Sequence, residues 1–368
     1  MILLALLAFS WAPLDHQPRA PERPPPTDPP FFVGDMYHLV PQTKLPFSPI
    51  ETATPVLDSA QTRLYVGTRD GTVRCRFRGK TAWAFQAGGA VLASPLVDSE
   101  TLYVPGGDGI LYALNRFTGA VRWTADLHEE LTTQPAVSEG RLLVMSSEQS
   151  VTALDIKDGK RLWKFHRDPP GGFTIRGDAQ PRVANGSVYV AFADGTVAAL
   201  QPENGVARWV RQVSGTGDYL DVDWIDAPEN DEHVYVASAK AGLVALDAKN
   251  GDPSWTFPLP GANHVLVEGA RVIGGGQGQL VAVDRAKGTK LWSLSLGRDR
   301  TPTQPVAMRG LILVAKDRGA LIGVDLETGQ ARGAFDPGSG FSQPAYAVPG
   351  AAYIVSNGGA LFSLGLLP

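Results

Sequence analysis

Residues 141–163 read RLLVMSSEQSVTALDIKDGKRLW. An apolar run (LLVM) leads into a polar turn, a second apolar run (VTAL), an Asp-x-x-x-Gly stretch and a Trp. Short apolar runs punctuated by turn residues read as strands joined in hairpins. The pattern recurs in LYVGTRDGTVRCRF from Leu64, LYVPGGDGILYALN from Leu102, VYVAFADGTVAAL from Val188 and VYVASAKAGLVALD from Val234. It returns in VIGGGQGQLVAVD from Val272, ILVAKDRGALIGVD from Ile312 and YIVSNGGALFSL from Tyr353. One position in the second run is always small: Cys75, Ala113, Ala153, Ala199, Ala245, Ala282, Gly323 and Ser363, at spacings of 38, 40, 46, 46, 37, 41 and 40.

A Trp follows in six repeats, at Trp83, Trp123, Trp163, Trp209, Trp255 and Trp292, and Gly333 holds that place in the seventh. Before the Trp sit pairs such as Thr118-Gly119, Asp158-Gly159 and Asn204-Gly205, where Gly supplies the positive φ of a hairpin turn. A further short strand opens each unit, often after Pro, as in TPVLDS, SPLVDS, QPAVSEG, QPRVANG, QPVAMRG and QPAYAVPG. Four short strands in 37–46 residues make a propeller blade. The expected fold is therefore all-β, an eight-bladed β-propeller of four-stranded antiparallel blades. The Trp is expected to pack between blades, and the small residue suits the crowded axis or a tight blade interface. The eighth repeat stops before its last strand, so the ring is expected to close with an N-terminal strand from near Asp35–Leu45, DMYHLVPQTKL.

The 368 residues carry a formal net charge of −4, with 41 Gly and 29 Pro. That leaves no broad basic field for nucleic acid, and enough Gly and Pro for many turns without the excess that marks disorder. One Cys makes neither an internal disulfide nor a Cys-based zinc site, and Cys75 reads as filler in the small-residue position. The six His are scattered without metal-binding spacing, and Gly274-Gly275-Gly276 falls in a repeated hairpin rather than before a helix. No catalytic residue, metal or cofactor is expected. Residues 1–12, MILLALLAFSWA, read as a secretory signal segment, with a buried strand and a misplaced start site as the other readings. Residues 13–32 are a Pro-rich linker and 33–368 the propeller. No Cys precedes Cys75, which puts a lipid anchor on an N-terminal Cys in doubt: either the tether is lost, or the true start lies upstream, or the chain is a soluble exported form.

The two longest spacings are adjacent, and their extra residues fall in neighbouring blade-to-blade connections. The first, RDPPGGFTIRGDAQP, brings Phe173 and Ile175 beside Arg176. The second, GTGDYLDVDWIDAPENDE, holds Asp218, Asp221, Asp223, Asp226, Glu229, Asp231 and Glu232 without a Lys or Arg. Apolar residues, an Arg and an acidic strip on one face suit a protein interface. Equally, Arg176 could pair internally with Asp221 or Asp223.

The D-G-x-(L/V)-x-A-L-D-x-x-T-G-x-x-x-W pattern resembles the quinoprotein-type propeller repeat over about residues 35–368. Two groups share it: the pyrroloquinoline quinone (PQQ) dehydrogenases and the BamB family of outer-membrane protein assembly factors. The bare repeat length and the single Cys favour the second. FTIRGDAQP (173–181) followed by DYLDVD (218–223) is similar to the paired loop motifs of that family. The resemblance implies a non-enzymatic scaffold at the periplasmic face of the outer membrane. It implies that Phe173, Ile175, Arg176, Asp221 and Asp223 contact the POTRA domains of the barrel subunit BamA. Unfolded outer-membrane proteins are the implied clients, and membrane contact is peripheral or through the N-terminus. The alternatives are a propeller interaction or sensor module, and a PQQ-type quinoprotein.

Overall fold

A computed structural model describes residues 31–38, 53–168, 179–214, 222–297, 301–316 and 319–366. Among the described residues the regular structure is all strand, paired into eight four-stranded antiparallel sheets. Blade 1 comprises Val56–Leu57, Arg63–Gly67, Thr72–Phe77 and Lys80–Gln86, here strands A to D. Blades 2 to 7 repeat this order. Blade 8 takes strands A to C from Tyr346–Val348, Ala351–Val355 and Ala360–Leu366, and its outer strand D from Phe31–His38.

Burial grades outward through each blade. Strands B and C are almost wholly buried, as in Ser187–Ala191 and Thr196–Leu200 of blade 4, because both their faces meet a neighbouring blade. That explains apolar runs without strict alternation. The D strands alternate exposed and covered residues, as in Arg161–His166. The core is correspondingly divided into eight apolar clusters, each joining two adjacent blades.

The recurring Trp and Gly form one device. Each indole of blades 1 to 6 lies against the Gly in the C–D turn of the following blade. A Cβ added at Gly119, Gly159, Gly205, Gly251, Gly288 or Gly329 would come within 2.5–2.8 Å of Trp83, Trp123, Trp163, Trp209, Trp255 or Trp292 respectively. The same turns carry φ of 65–76° at that Gly, so conformation and packing both exclude a side chain. The indole N–H of Trp83 donates to the Arg116 carbonyl in the same turn at 3.0 Å, and that of Trp209 to the Ala248 carbonyl at 3.0 Å. The small residue of strand C lies opposite the Trp of strand D and a strand B residue, as Ala199 does between Tyr189 and Trp209. Its shortness lets the two rings tilt together, with centroids 6.0 Å apart. The small position thus belongs to the blade interface and not to the axis.

Blade 7 has Gly333 where a Trp would stand, and blade 8 has no C–D turn to receive one, because its strand D comes from the other end of the chain. The N-terminal closure expected from the sequence is present. Phe31 pairs with Leu366 and His38 with Ala360. The strand begins four residues before the expected Asp35, because strand C of blade 8 runs to Leu366 and its outer edge is covered along that length. Residues 39–45 of the expected strand lie outside the described residues.

Candidate partner-binding face

The strand order fixes two faces. A–B and C–D turns emerge on one, and B–C turns and the D–A connections between blades on the other. Both long connections therefore share a face, the first running from blade 3 into blade 4 and the second from blade 4 into blade 5. Phe173, Ile175, Arg176 and Asp221 lie outside the described residues. Asp223 is half-buried in strand A of blade 5 (Val222–Asp226), where the register slips between Val222 and Trp224.

The described roots of both connections converge on Asp194, in the B–C turn of blade 4. Arg167, just after strand D of blade 3, donates to its carboxylate through Nε and Nη2, each at 2.7 Å. Gln212, the last residue of strand D in blade 4, donates through Nε2 to the Asp194 carbonyl at 2.7 Å. The Val213 N–H bonds the Gly195 carbonyl at 2.9 Å. At the far ends, Ala179 and Val222 are fully buried. Sequence reasoning took the Asp-Gly of ADGTV only as a hairpin signal and missed Asp194 as an anchor. The signal was Arg167 and Gln212 at the roots of the two longest connections.

The acidic strip does not form one patch. Strand A of blade 5 spans five residues, roughly 16 Å, and carries the later acids to the opposite face. Burial holds the Asp226 carboxyl above the usual carboxylate range, and the carboxyl accepts the Val267 N–H of blade 6 at 2.9 Å. Glu229 accepts the Asn185 N–H of blade 4 at 3.1 Å. Asp231 pairs with Arg285 of blade 6 at 2.5 Å. Burial pushes the Asp231 carboxyl up, but hydrogen bonds led by Arg285 outweigh it and hold the group below its ordinary value. These acids join blades and are not a free interaction strip.

A channel of about 520 Å³ runs at the axis, lined by the opening residues of strand A from all eight blades. The residue before the strand-opening Pro repeats as Thr54, Ser94, Gln134, Gln180, Gln304 and Gln343 around it. Neighbours interlock: Gln180 Nε2 donates to Gln134 Oε1 at 3.2 Å, and Gln134 Nε2 donates to the Pro95 carbonyl at 2.7 Å. The sequence reading used these motifs only to place strands and missed the polar ring.

Among the described residues, no group of three or more His, Cys, Asp or Glu is placed to hold a metal ion. Cys75 is fully buried, and burial pushes its thiol up to about 11. Gly274, Gly275 and Gly276 lie in strand B of blade 6 (Arg271–Gly276), where a Cβ would strike Leu243, Pro302 and Leu259 at 2.5, 2.7 and 2.8 Å. They serve close packing and form no phosphate loop.

The family model described as outer membrane protein assembly factor BamB matches residues 49–116, 69–220 and 221–334. The chain belongs to the BamB family. BamB of Yersinia pestis is 28% identical over 108 residues, 27% of this chain and 28% of the relative. A polyvinylalcohol dehydrogenase of a Pseudomonas species is 31% identical over 108 residues, 27% of this chain and 17% of that enzyme. These alignments span less than a third of either curated relative. The crystal structure of BamB from Moraxella catarrhalis superposes with a TM-score of 0.80 at 22% identity, covering 91% of this chain and 99% of that one. That likeness bears on the fold, which is the eight-bladed ring.

Proposed function

We propose that this chain is a non-enzymatic scaffold of outer-membrane protein assembly in the periplasm. In this reading residues 1–12 direct export, 13–32 form a tether, and 33–368 act as the working body. The two long connections on one face engage the POTRA domains of a BamA-like barrel subunit. Phe173 and Ile175 supply apolar anchors, and Arg176, Asp221 and Asp223 set orientation. Unfolded outer-membrane proteins are the clients served by the assembly.

The observation that carries this reading is the membership in the BamB family. The shared root of both connections on Asp194 supports it, since common anchoring presents two loops as one surface. A titration of the full chain against the periplasmic domains of the same organism's barrel-assembly protein tests it. Arg176→Ala and Asp221→Ala are each expected to weaken binding at least tenfold, about 1.4 kcal/mol, with the melting temperature unchanged. Undiminished binding in both variants would move the interface elsewhere on the ring. Absence of binding by the wild type would leave a propeller module with a different partner.

The dehydrogenase relative favours a second reading, a quinoprotein enzyme. Quinone-dependent dye reduction with PQQ and calcium tests it. No turnover is expected.

A further inference from the structure

The C–D turns of blades 1 and 2 stand side by side on the face opposite the two long connections, and their charge is one-sided. At this end blade 1 carries Arg63, Arg76, Arg78 and Lys80 against Asp58, in a chain whose net charge is −4. Asp58 is taken by Arg116 of blade 2 at 2.7 Å. Several arginines elsewhere on this face have acids beside them: Arg141 pairs with Glu139 at 3.5 Å, Arg285 with Asp231 at 2.5 Å and Arg332 with Asp325 at 2.6 Å. Among the described residues, Arg63, Arg78 and Lys80 have no acidic partner.

The excess is built into the blade. Arg74 and Arg76 flank the small Cys75 of strand C, where the other seven blades have apolar or aromatic residues and, once, Thr152. Arg76 braces the turn that follows. Its Nη2 donates to the Gly79 carbonyl and its Nη1 to Thr81 Oγ1 at 3.4 Å. Phe77 pairs with Lys80, so the turn is Arg78-Gly79 alone, with φ of 51° and 75°. This is the tight two-residue form of a hairpin, and it holds Arg78 and Lys80 exposed at its tip.

Aromatic surface is interleaved with the cations. The Arg63 guanidinium lies 4.4 Å from the Phe77 ring centroid and 4.9 Å from that of Phe117. Arg116 lies 4.2 Å from Phe117, and Arg78 lies 5.1 Å from Phe77. Stacking holds a guanidinium in place without consuming its N–H donors. Phe117 is nevertheless 40% exposed, and Val121, just beyond the same turn, 51%.

The path of the chain says what lies beyond this face. Phe31 pairs with Leu366 at the C–D end of blade 8, so residues 1–30 join the ring on this face, beside blade 1. They include the apolar stretch MILLALLAFSWA. An acidic peptide would need main-chain partners as well as cations. The turn tip offers few, since Asn115 Oδ1 accepts the N–H groups of Phe117 and Thr118 at 2.9 and 3.1 Å. An anionic bilayer presents phosphates in a plane for the cations and a hydrocarbon boundary for an exposed ring.

We infer that the C–D turns of blades 1 and 2 form a docking surface for an anionic phospholipid membrane. Arg63, Arg78 and Lys80 meet headgroup phosphates, and Phe117 enters the acyl boundary. This goes beyond the scaffold reading and uses the opposite face, so either can fail without the other.

Co-sedimentation of the full chain with two kinds of vesicle tests the inference, phosphatidylcholine alone and phosphatidylcholine mixed with phosphatidylglycerol. An apolar segment such as residues 1–12 favours both kinds alike, so the readout is the difference between them. Wild type is expected to bind the anionic vesicles at least tenfold more tightly, and added salt to erase the difference. Arg78→Glu and Lys80→Glu are each expected to reduce the preference severalfold, with the melting temperature unchanged. Lys249→Glu and Lys287→Glu make the same charge change at exposed positions on this face in blades 5 and 6, and are expected to retain it. Phe117→Ser is expected to weaken binding to anionic vesicles without altering its salt dependence, since it removes an apolar contact and no charge. Equal binding of folded wild type to both kinds of vesicle overturns the inference. So does a preference that survives in both blade 1 variants, or one that falls as far in the blade 5 and blade 6 variants. Capture of poly-L-glutamate without a preference for anionic vesicles would assign the cations to an acidic polypeptide and overturn it likewise.

Discussion

At the scale of single residues, the ring is assembled by the contact between an indole and a bare Cα. Gly205 has φ of 72°, and a Cβ there would lie 2.5 Å from the Trp163 ring. Gly140 has φ of 77° with open space around it. Gly140→Ala is therefore expected to cost about 1–2 kcal/mol, from conformation alone. Gly205→Ala adds overpacking and is expected to cost about 2–4 kcal/mol. Urea unfolding of the two variants checks the difference. His264 gives a pH dependence. Its imidazole titrates at 6.5 in the reference state and is pushed down by burial to about 3 when folded. Between those values only the unfolded state takes up the proton, so stability is full above about pH 6.5 and falls as pH drops toward 3. His264→Gln is expected to flatten this loss when melting temperatures are compared at neutral pH and near pH 4.5. The Trp and Gly were both visible in the sequence as repeated letters. That one sits on the other across a blade boundary was not, because periodicity reports position within a repeat and not contact between repeats.

At the scale of elements, strand D of blade 8 is the closure. Val33 pairs with Leu364 and Met36 with Phe362, with a register shift between them. Removing residues 1–30 is expected to leave the melting temperature unchanged. Removing residues 1–38 uncovers the edge of Ala360–Leu366 and is expected to lower it markedly and promote association, measured by calorimetry and light scattering. The seam is the place to expect this sensitivity. Its cluster of buried residues is Leu57, Leu64, Val66, Val355 and Leu361, without an interblade Trp. The need for an N-terminal strand followed from counting strands in the last repeat. Its start at Phe31 did not, since that depends on how far strand C of the last blade extends. The acidic stretch after Asp218 misled for a related reason. A linear cluster of charges is divided between two faces once a strand runs through its middle.

At the scale of the whole molecule, stability is distributed over eight interfaces of similar design, each made by two blades. Such a ring leaves its connections free to vary, because the interblade clusters are built mainly from strand residues; among the described residues the two long D–A connections contribute buried members to one cluster only at their far ends, through Ala179 and Val222. Arg176→Ala and Asp221→Ala are accordingly expected to change partner binding and leave unfolding by heat or urea untouched. Fold and blade count were legible because the same physical requirement is written into each repeat. The candidate face was legible only as an irregularity in spacing, and the axial channel not at all, since its lining is a few residues from each blade drawn from the whole length of the chain. The pairing of Phe31 with Leu366 brings the first and last strands of the ring side by side. A circular permutant that bridges them and reopens the chain at the C–D turn of blade 4, between Asn204 and Gly205, would preserve every blade. It would also strand Trp163 without the intact turn that receives it, while the new bridge would face Gly333 with no indole to hold. The place where this ring is cut is thus encoded in its tryptophans, and moving the cut without moving them should yield a looser ring.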